Sequence, residues 1–134
     1  MKLMLSRSHY AQMLAHAQAD RPNEACGLLA GAAGRVRQVY RIENIRHSPV
    51  EYQMDPAQQV ETMAAIEAAG RELTGIYHSH PGGPPVPSPA DIAQAYYPES
   101  IYVILSPTAA GEWQGRAFQI NGGQAQEVRL EIVE

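Results

Sequence analysis

Cysteine is almost absent from this sequence: Cys26 is the only one among 134 residues, so no disulfide can form within the chain. A chain without disulfides is suited to a reducing compartment. Long apolar runs are absent too, because no stretch approaches the ~20 residues of a membrane-spanning helix. The apolar start at residues 1–5 is too short for a signal peptide and is followed by polar residues. We therefore expect a cytoplasmic protein with no membrane partner.

Charged residues are also few, and the basic ones are the minority. Ten Lys and Arg stand against 14 Asp and Glu, which gives a net charge of -4, and no basic run offsets it. Proteins that bind a phosphate backbone normally carry a basic patch, so we expect no nucleic-acid partner. The 45% hydrophobic content is typical of a globular protein. With no repeat or linker to divide the chain, we expect one domain spanning residues 1–134.

The apolar pattern along the chain predicts helices that alternate with strands. The helices are predicted at 8–19, from an Asp55 cap to about Gly70, and at 89–97. The strands are predicted at about 25–30, 36–42, 73–80, 101–105, 113–120 and 124–133. Residues 31–34 and 121–123 read as hairpin turns, and residues 43–54 as a loop or irregular strand.

Two histidines stand at the end of the strand predicted from residue 73. His78 and His80 are two residues apart, so alternation along the strand points both imidazoles to one face and Ser79 to the other. Asp91 lies in the first turn of the next predicted helix, and the chain can fold back to bring this carboxylate to the histidines. Two neutral imidazoles and one carboxylate make the protein half of a catalytic zinc site, whose fourth position stays open for water. The pattern predicts a hydrolytic metal centre.

Each part of this motif also has a simpler interpretation. Two histidines on one strand face are often only polar surface. Residues 88–91, Ser-Pro-Ala-Asp, are a good helix start with Ser88 as N-cap. Five of the ten prolines fall at 81–89, and this loop could be an exposed turn or a polyproline spacer. The metal site is favoured because paired histidines, a rigid loop and a correctly placed carboxylate coincide within 14 residues. Fixed φ angles in the loop would preorganise that site.

Three segments of the chain resemble the JAMM (MPN-plus) metalloprotease family. The first is His-Ser-His-Pro followed by Ser-x-x-Asp, with seven residues between His80 and Ser88 and ten between His80 and Asp91. The second is residues 22–31, Pro-Asn-Glu-Ala-Cys-Gly-Leu-Leu-Ala-Gly, which puts Glu24 at the family's upstream glutamate position. The third resembles the segment that leads into the family's second helix and consists of Asn44, Ser48-Pro49, Tyr52 and Asp55-Pro56.

The resemblance implies an α/β (α+β) fold in which helices flank a mixed β-sheet, the MPN/JAMM fold, related in architecture to the cytidine deaminases. It also implies one zinc ion per chain, held by His78, His80 and Asp91 with a water as fourth ligand. Glu24 would be the general base that takes the proton of this water and passes it to the leaving amine. Ser88 would donate a hydrogen bond to the oxyanion while its oxygen caps the helix.

The resemblance further implies a zinc metalloprotease that cleaves amide or isopeptide bonds at the C-terminus of ubiquitin-like proteins. The stretch between Leu105 and Trp113 leaves no room for the long insertion with which eukaryotic deubiquitinating members grip a second ubiquitin. The chain is similar to the small stand-alone prokaryotic members, some of which act on ubiquitin-like sulfur-carrier proteins. The expected substrate and partner is therefore a ubiquitin-like or sulfur-carrier protein with a C-terminal Gly-Gly tail.

Other interpretations stay open at some positions. A zinc deaminase needs a Pro-Cys-x-x-Cys pair, which a single cysteine excludes. A noncatalytic MPN-type scaffold or interaction module is the alternative to an enzyme, although every chemical position is filled. Cys26 is interpreted as a small core residue, with a redox role as the alternative. His47 could contact substrate, and His9 and His16 are interpreted as surface residues. The sequence does not predict the oligomeric state.

Overall fold

The computed structural model describes residues 1–133, and these form seven strands and three helices. In chain order they are β1 (Lys2–Ser6), α1 (Arg7–Ala19), β2 (Cys26–Ala32), β3 (Arg35–Ile42), α2 (Pro56–Ala68), β4 (Glu72–Ser79), α3 (Pro89–Ala93), β5 (Ile101–Pro107), β6 (Trp113–Asn121) and β7 (Gln124–Val133). Within this described part of the chain, no helix has the length and apolar character needed to cross a bilayer.

The strands form one mixed sheet in the order β1-β3-β2-β4-β5-β6-β7, and the sheet closes into a barrel because β1 pairs with both β3 and β7. The closure is uneven: β1 runs parallel to β7 along its whole length but meets β3 at the single pair Met4↔Arg35. The β1–β3 and β4–β5 pairs are also parallel, and the remaining neighbours are antiparallel. The predicted mixed sheet with flanking helices is confirmed.

An apolar layer lies on each face of this sheet. The first layer surrounds α1, which contacts β1, β3, β4, β5, β6 and β7. Its fully buried members include Leu3, Leu5, Met13, Leu29, Tyr77 and Val103. The second layer lies between the other face of the sheet and α2, and its buried members include Cys26, Leu28, Ile66, Ile76 and Ile104. Because β2 and β4 contribute alternate residues to both layers, their ends are fixed from two sides.

Two predictions of secondary structure need correction. The sequence patterns do not predict β1, because five residues are too few to show a period and their partner β7 lies at the far end of the chain. The third helix ends at Ala93 and does not reach residue 97. Its extension is prevented because the N–H of Tyr97 donates to the Tyr102 hydroxyl (3.1 Å) and Pro98 disfavours helical geometry at the residue before it.

Candidate metal centre

Strand pairing brings the predicted glutamate to the two histidines. β2 and β4 are antiparallel with Cys26 opposite His78, so Glu24, just before β2, comes opposite His80, just after β4. All three side chains are buried, with Glu24 4%, His78 1% and His80 6% exposed. One ligand atom of each lies within 4.8 Å of the other two. Glu24 is 54 or more positions from the two histidines in sequence, so the sheet register alone brings it to them.

Asp91 completes this cluster from the other side. Its Oδ2 lies 3.1 Å from Nε2 of His78 and 3.0 Å from Nε2 of His80, and the two Nε2 atoms are 3.1 Å apart. Three donor atoms about 2.1 Å from one tetrahedral ion would lie roughly 3.4 Å apart, close to the triangle seen here. Glu24, His78, His80 and Asp91, which the sequence predicted to share a site, are therefore neighbours in the structure.

The protonation of His80 tests whether this triangle fits a cation. Nδ1 of His80 lies 2.8 Å from the carbonyl oxygen of Pro84, so Nδ1 carries the proton and donates it. A neutral His80 then presents the lone pair of Nε2 to the Asp91 carboxylate, which is repulsive at 3.0 Å. Only a proton or a metal cation between the two atoms makes this contact attractive. The donor set fits a metal ion.

The surroundings shift the ionisation of the three groups. Burial alone would raise the pKa of Asp91, but hydrogen bonds with His78 and His80 hold it well below its usual range. Burial lowers the pKa of His78, and the Asp91 carboxylate only partly opposes this. Burial would also lower the pKa of His80, but its contacts with Asp91 and Pro84 raise it overall. The carboxylate is thus ionised and His78 is neutral, as metal ligands require.

The two histidine rings are oriented in different ways. His80 is fixed by its hydrogen bond to Pro84. Nδ1 of His78 is buried without a hydrogen-bond partner among residues 1–133, and its ring stacks on Tyr52 with centroids 4.5 Å apart and planes at 28°. Packing against Tyr52 therefore orients the ring of His78, whereas the hydrogen bond to Pro84 orients the ring of His80. The sequence placed Tyr52 in a family-like segment but predicted no role for it.

Asn44 fixes the backbone at Glu24. Its Nδ2 donates to the carbonyl oxygens of Glu24 (3.0 Å) and Glu51 (3.1 Å), and its Oδ1 accepts from the N–H groups of Arg46 and Gln53 (both 3.0 Å). This buried amide therefore uses its full hydrogen-bonding capacity. It joins Glu24 to the loop between β3 and α2, which an isolated bridge between residues 44 and 54 closes.

Two further bonds hold the same stretch of chain. The N–H of Glu24 donates to the carbonyl oxygen of Ser48 (2.8 Å), and the N–H of Ala25 donates to Oγ of Ser79 (2.7 Å). Ser79, which strand alternation points away from the histidines, thus supports the backbone beside the glutamate. Burial raises the pKa of Glu24 to about 7, with His80 opposing the shift and Asp91 adding to it. A carboxylate with that pKa is matched to proton transfer near neutral pH.

Ser88 and Asp91 begin α3 with a reciprocal pair of bonds. The N–H of Asp91 donates to Oγ of Ser88 (3.0 Å), and the N–H of Ser88 donates to Oδ2 of Asp91 (2.8 Å). This capping box fixes Oδ2 of Asp91, the oxygen that faces the two histidines. Because Oγ of Ser88 acts here as acceptor, its hydroxyl hydrogen is available to a second group.

Two clefts adjoin the cluster. One, of about 440 Å³, has Glu24 and Asn44 in its wall and also includes His47. The other, of about 410 Å³, has Ser88 and Asp91 in its wall, together with Tyr52, Tyr97 and Tyr102. The glutamate and the serine therefore line different clefts.

The remaining predictions can be placed against the structure. Cys26 is fully buried in the second core layer, and burial raises the pKa of its thiol to about 12, which supports its interpretation as a core residue. His16 is not a surface residue: it is 5% exposed and its Nδ1 lies 2.7 Å from the Tyr77 hydroxyl. The prediction was wrong because His16 lies on the inward face of α1 together with Met13 and Ala17, the other buried residues of this helix.

The fold and the clustered side chains place the chain among known structures. It aligns over its whole length with the whole of a solved structure described as JAMM, a metalloprotease-like zinc site in the proteasome and signalosome, with a TM-score of 0.61 and 20% identity. This likeness defines the class of fold.

The family follows from the sequence comparison. The model for prokaryotic homologues of the JAB domain (Prok-JAB) matches residues 6–121, and the chain belongs to this family. It is 38% identical to a desampylase from Haloferax volcanii over 88% of this chain and 92% of that one. It is 36% identical to a CysO-cysteine peptidase from Mycobacterium tuberculosis over 91% of this chain and 85% of that one. The recognition of a small prokaryotic JAMM protein is confirmed.

Proposed function

We propose that this chain is a zinc-dependent metallopeptidase that hydrolyses amide or isopeptide bonds at the C-terminal Gly-Gly tail of a ubiquitin-like or sulfur-carrier protein. The observation that carries this proposal is the triangle of donor atoms from His78, His80 and Asp91 beside the buried Glu24. Relatives named for cleaving a conjugate or a cysteine adduct support the same type of reaction. The proposal includes one domain spanning residues 1–134 and a cytoplasmic location.

Each of the clustered side chains can be given one role in the hydrolysis. When bound by His78, His80 and Asp91, zinc lowers the pKa of a coordinated water from ~15.7 to ~7 and polarises a carbonyl group. Glu24 accepts a proton from the attacking water and returns it to the leaving nitrogen. The Ser88 hydroxyl donates to the oxygen of the carbonyl as that oxygen gains negative charge. Burial of Glu24 and the histidines excludes bulk water and strengthens each interaction.

The substrate tail is assigned to the cleft beside Ser88. Its wall includes four tyrosines and Met54, and it leads to the carbonyl-activating side of the cluster. A narrow cleft that approaches a buried reaction centre favours residues without branched side chains, as in a Gly-Gly tail. Replacement of the last glycine by valine should therefore slow cleavage.

A noncatalytic scaffold is the alternative, and the buried carboxylate argues against it. A binding module gains nothing from a glutamate with a raised pKa beside ionised Asp91, because burying such a group is costly. An enzyme uses it.

The test separates metal binding from chemistry. Glu24→Gln keeps the size of the side chain but removes the base, so we expect one zinc per chain as in wild type and hydrolysis slower by ~100-fold or more. Metal is measured by elemental analysis, and hydrolysis by mass spectrometry of ubiquitin-fold proteins with residues added after Gly-Gly. Glu61→Gln, on the exposed face of α2, is the matched control. A metal-free wild type that takes up no zinc, or a Glu24→Gln variant as fast as wild type, would contradict the proposal.

A further inference from the structure

The cleft beside Glu24 contains charged groups that the proposed reaction does not use. This cleft has a volume of about 440 Å³. Its wall includes His16 in the last turn of α1 and Asp20 just after that helix, together with Arg41 in β3 and Glu43 just after that strand. The zinc-ligand candidates do not line it. Its contact with the reaction centre is therefore made through Glu24.

Asp20 and Glu43, the acidic groups of this cleft other than Glu24, each lie beside a histidine. His16 links Tyr77 to Asp20, because its Nδ1 lies 2.7 Å from the Tyr77 hydroxyl and its Nε2 lies 3.2 Å from Oδ2 of Asp20. Burial raises the pKa of Tyr77, so this hydroxyl keeps its proton and donates it to Nδ1, which leaves the Nε2 proton for Asp20. Glu43 lies 3.8 Å from Nε2 of His47.

Arg41 is the exception in this wall. Its guanidinium makes no hydrogen bond or ion pair with any group in residues 1–133. Its charge is nevertheless close enough to add to the lowering of the His16 pKa by burial and to oppose the rise in the pKa of Tyr77. An exposed guanidinium that lines a cleft and lacks a carboxylate partner is suited to bind the carboxylate of a ligand in two parallel hydrogen bonds.

The direction of proton transfer decides which part of the substrate this cleft receives. In the hydrolysis, water oxygen bonds to the carbonyl carbon, the C–N bond breaks, and the proton taken by Glu24 goes to the departing nitrogen. The nitrogen must therefore lie on the Glu24 side, while the carbonyl oxygen lies on the Ser88 side. The two clefts then fall on opposite sides of the scissile bond, with the leaving group in the cleft that contains Arg41.

We propose that this cleft is the leaving-group subsite and that Arg41 binds the α-carboxylate of a single amino acid attached through its α-amino group to the terminal glycine. The inference rests on the proposed function and defines its substrate more narrowly. A cleft of about 440 Å³ accommodates one amino acid with room for bridging water. A lysine side chain in an isopeptide bond presents no carboxylate next to the departing nitrogen, so it leaves Arg41 without its ligand.

The experiment compares two tails that differ only in this charge. A ubiquitin-fold protein ending in Gly-Gly-Ala is prepared with a free C-terminal carboxylate and with a carboxamide. The zinc-loaded wild type should cleave the carboxylate form roughly 10-fold or more faster by kcat/KM, because a charge-assisted hydrogen bond contributes about 1.5–3 kcal/mol. In Arg41→Gln the ratio of the two rates should fall to about one, and Arg41→Lys should keep part of it.

Arg37→Gln is the matched control, because Arg37 is exposed on the same strand but does not line the cleft. It should keep the wild-type ratio. Equal cleavage of both tails by wild type, or an unchanged ratio in Arg41→Gln, would overturn the subsite while leaving the proposed hydrolysis intact. Failure of zinc-loaded wild type to cleave either tail would overturn the hydrolysis and the subsite together.

Discussion

The two halves of the metal centre are built in different ways. Glu24, His78 and His80 come from adjacent strands and are almost completely buried. Ser88 and Asp91 come from α3, a five-residue helix with no buried residue, at the end of a proline-rich loop. The strand half is held by the sheet register and by both core layers, whereas the helix half is held by a capping box and by its contacts with the histidines.

This difference separates stability from chemistry along the chain. Changes in the strand half act on groups that the core also needs, so loss of activity and loss of folding should go together. Changes in the helix half affect few packing contacts, so activity can fall while the fold is kept. The predictions below test this contrast.

Removal of one ligand from each half should have the largest effect. His80→Ala and Asp91→Ala each leave two donors of the triangle, so we expect most of the bound zinc and nearly all hydrolysis to be lost. Elemental analysis after purification without chelator measures the metal. His47→Ala, whose side chain is 67% exposed, controls for loss of any histidine. Full zinc content in either variant would remove that residue from the ligand set.

Ser88→Ala should reduce the rate by ~10²-fold if its hydroxyl is a dominant oxyanion donor. The same change removes an N-cap, which should cost about 1 kcal/mol of unfolding free energy. Ser6→Ala separates the two effects, because Ser6 caps α1 by accepting from the N–H of His9 (3.1 Å) and lies outside the site. We expect Ser6→Ala to lose stability alone and Ser88→Thr to recover most of the rate. Equal kcat values in Ser88→Ala and Ser6→Ala would leave Ser88 with only its capping role.

Asn44→Ala should produce the smallest change in rate, and it should lower stability as well. Loss of the amide leaves the carbonyl of Glu24 and its other partners unpaired, at about 1–3 kcal/mol in the free energy of unfolding. Glu24 would then be positioned less firmly, so kcat should fall by roughly 10-fold while zinc content and KM change little. Asn121→Ala, at the exposed β6–β7 turn, is the matched control. A rise in KM with kcat unchanged would contradict a positioning role.

The sequence predicted the side chains that cluster at the candidate site more completely than it predicted the contacts that hold them. Strand alternation predicts that His78 and His80 share a face, and the family-like segment around Glu24 supplies the third member. Asn44 and Tyr52 also lie in a family-like segment, but their roles were not predicted, because stacking on His78 and bonding to the Glu24 carbonyl depend on contacts between distant segments. The missed strand β1 and the wrong prediction for His16 share this cause, because β1 pairs with the distant β7 and His16 contacts Tyr77 of β4.

The burial of Cys26 has a practical consequence. Thiol reagents require an accessible thiolate, and this thiol is 0% exposed with a pKa raised to about 12. We therefore expect the folded chain to be unreactive toward maleimides at neutral pH. A cysteine introduced at an exposed loop position such as Val50 would then be the only residue labelled. Slow modification of the natural thiol would then report how often β2, the strand that follows Glu24, opens to solvent in the native protein.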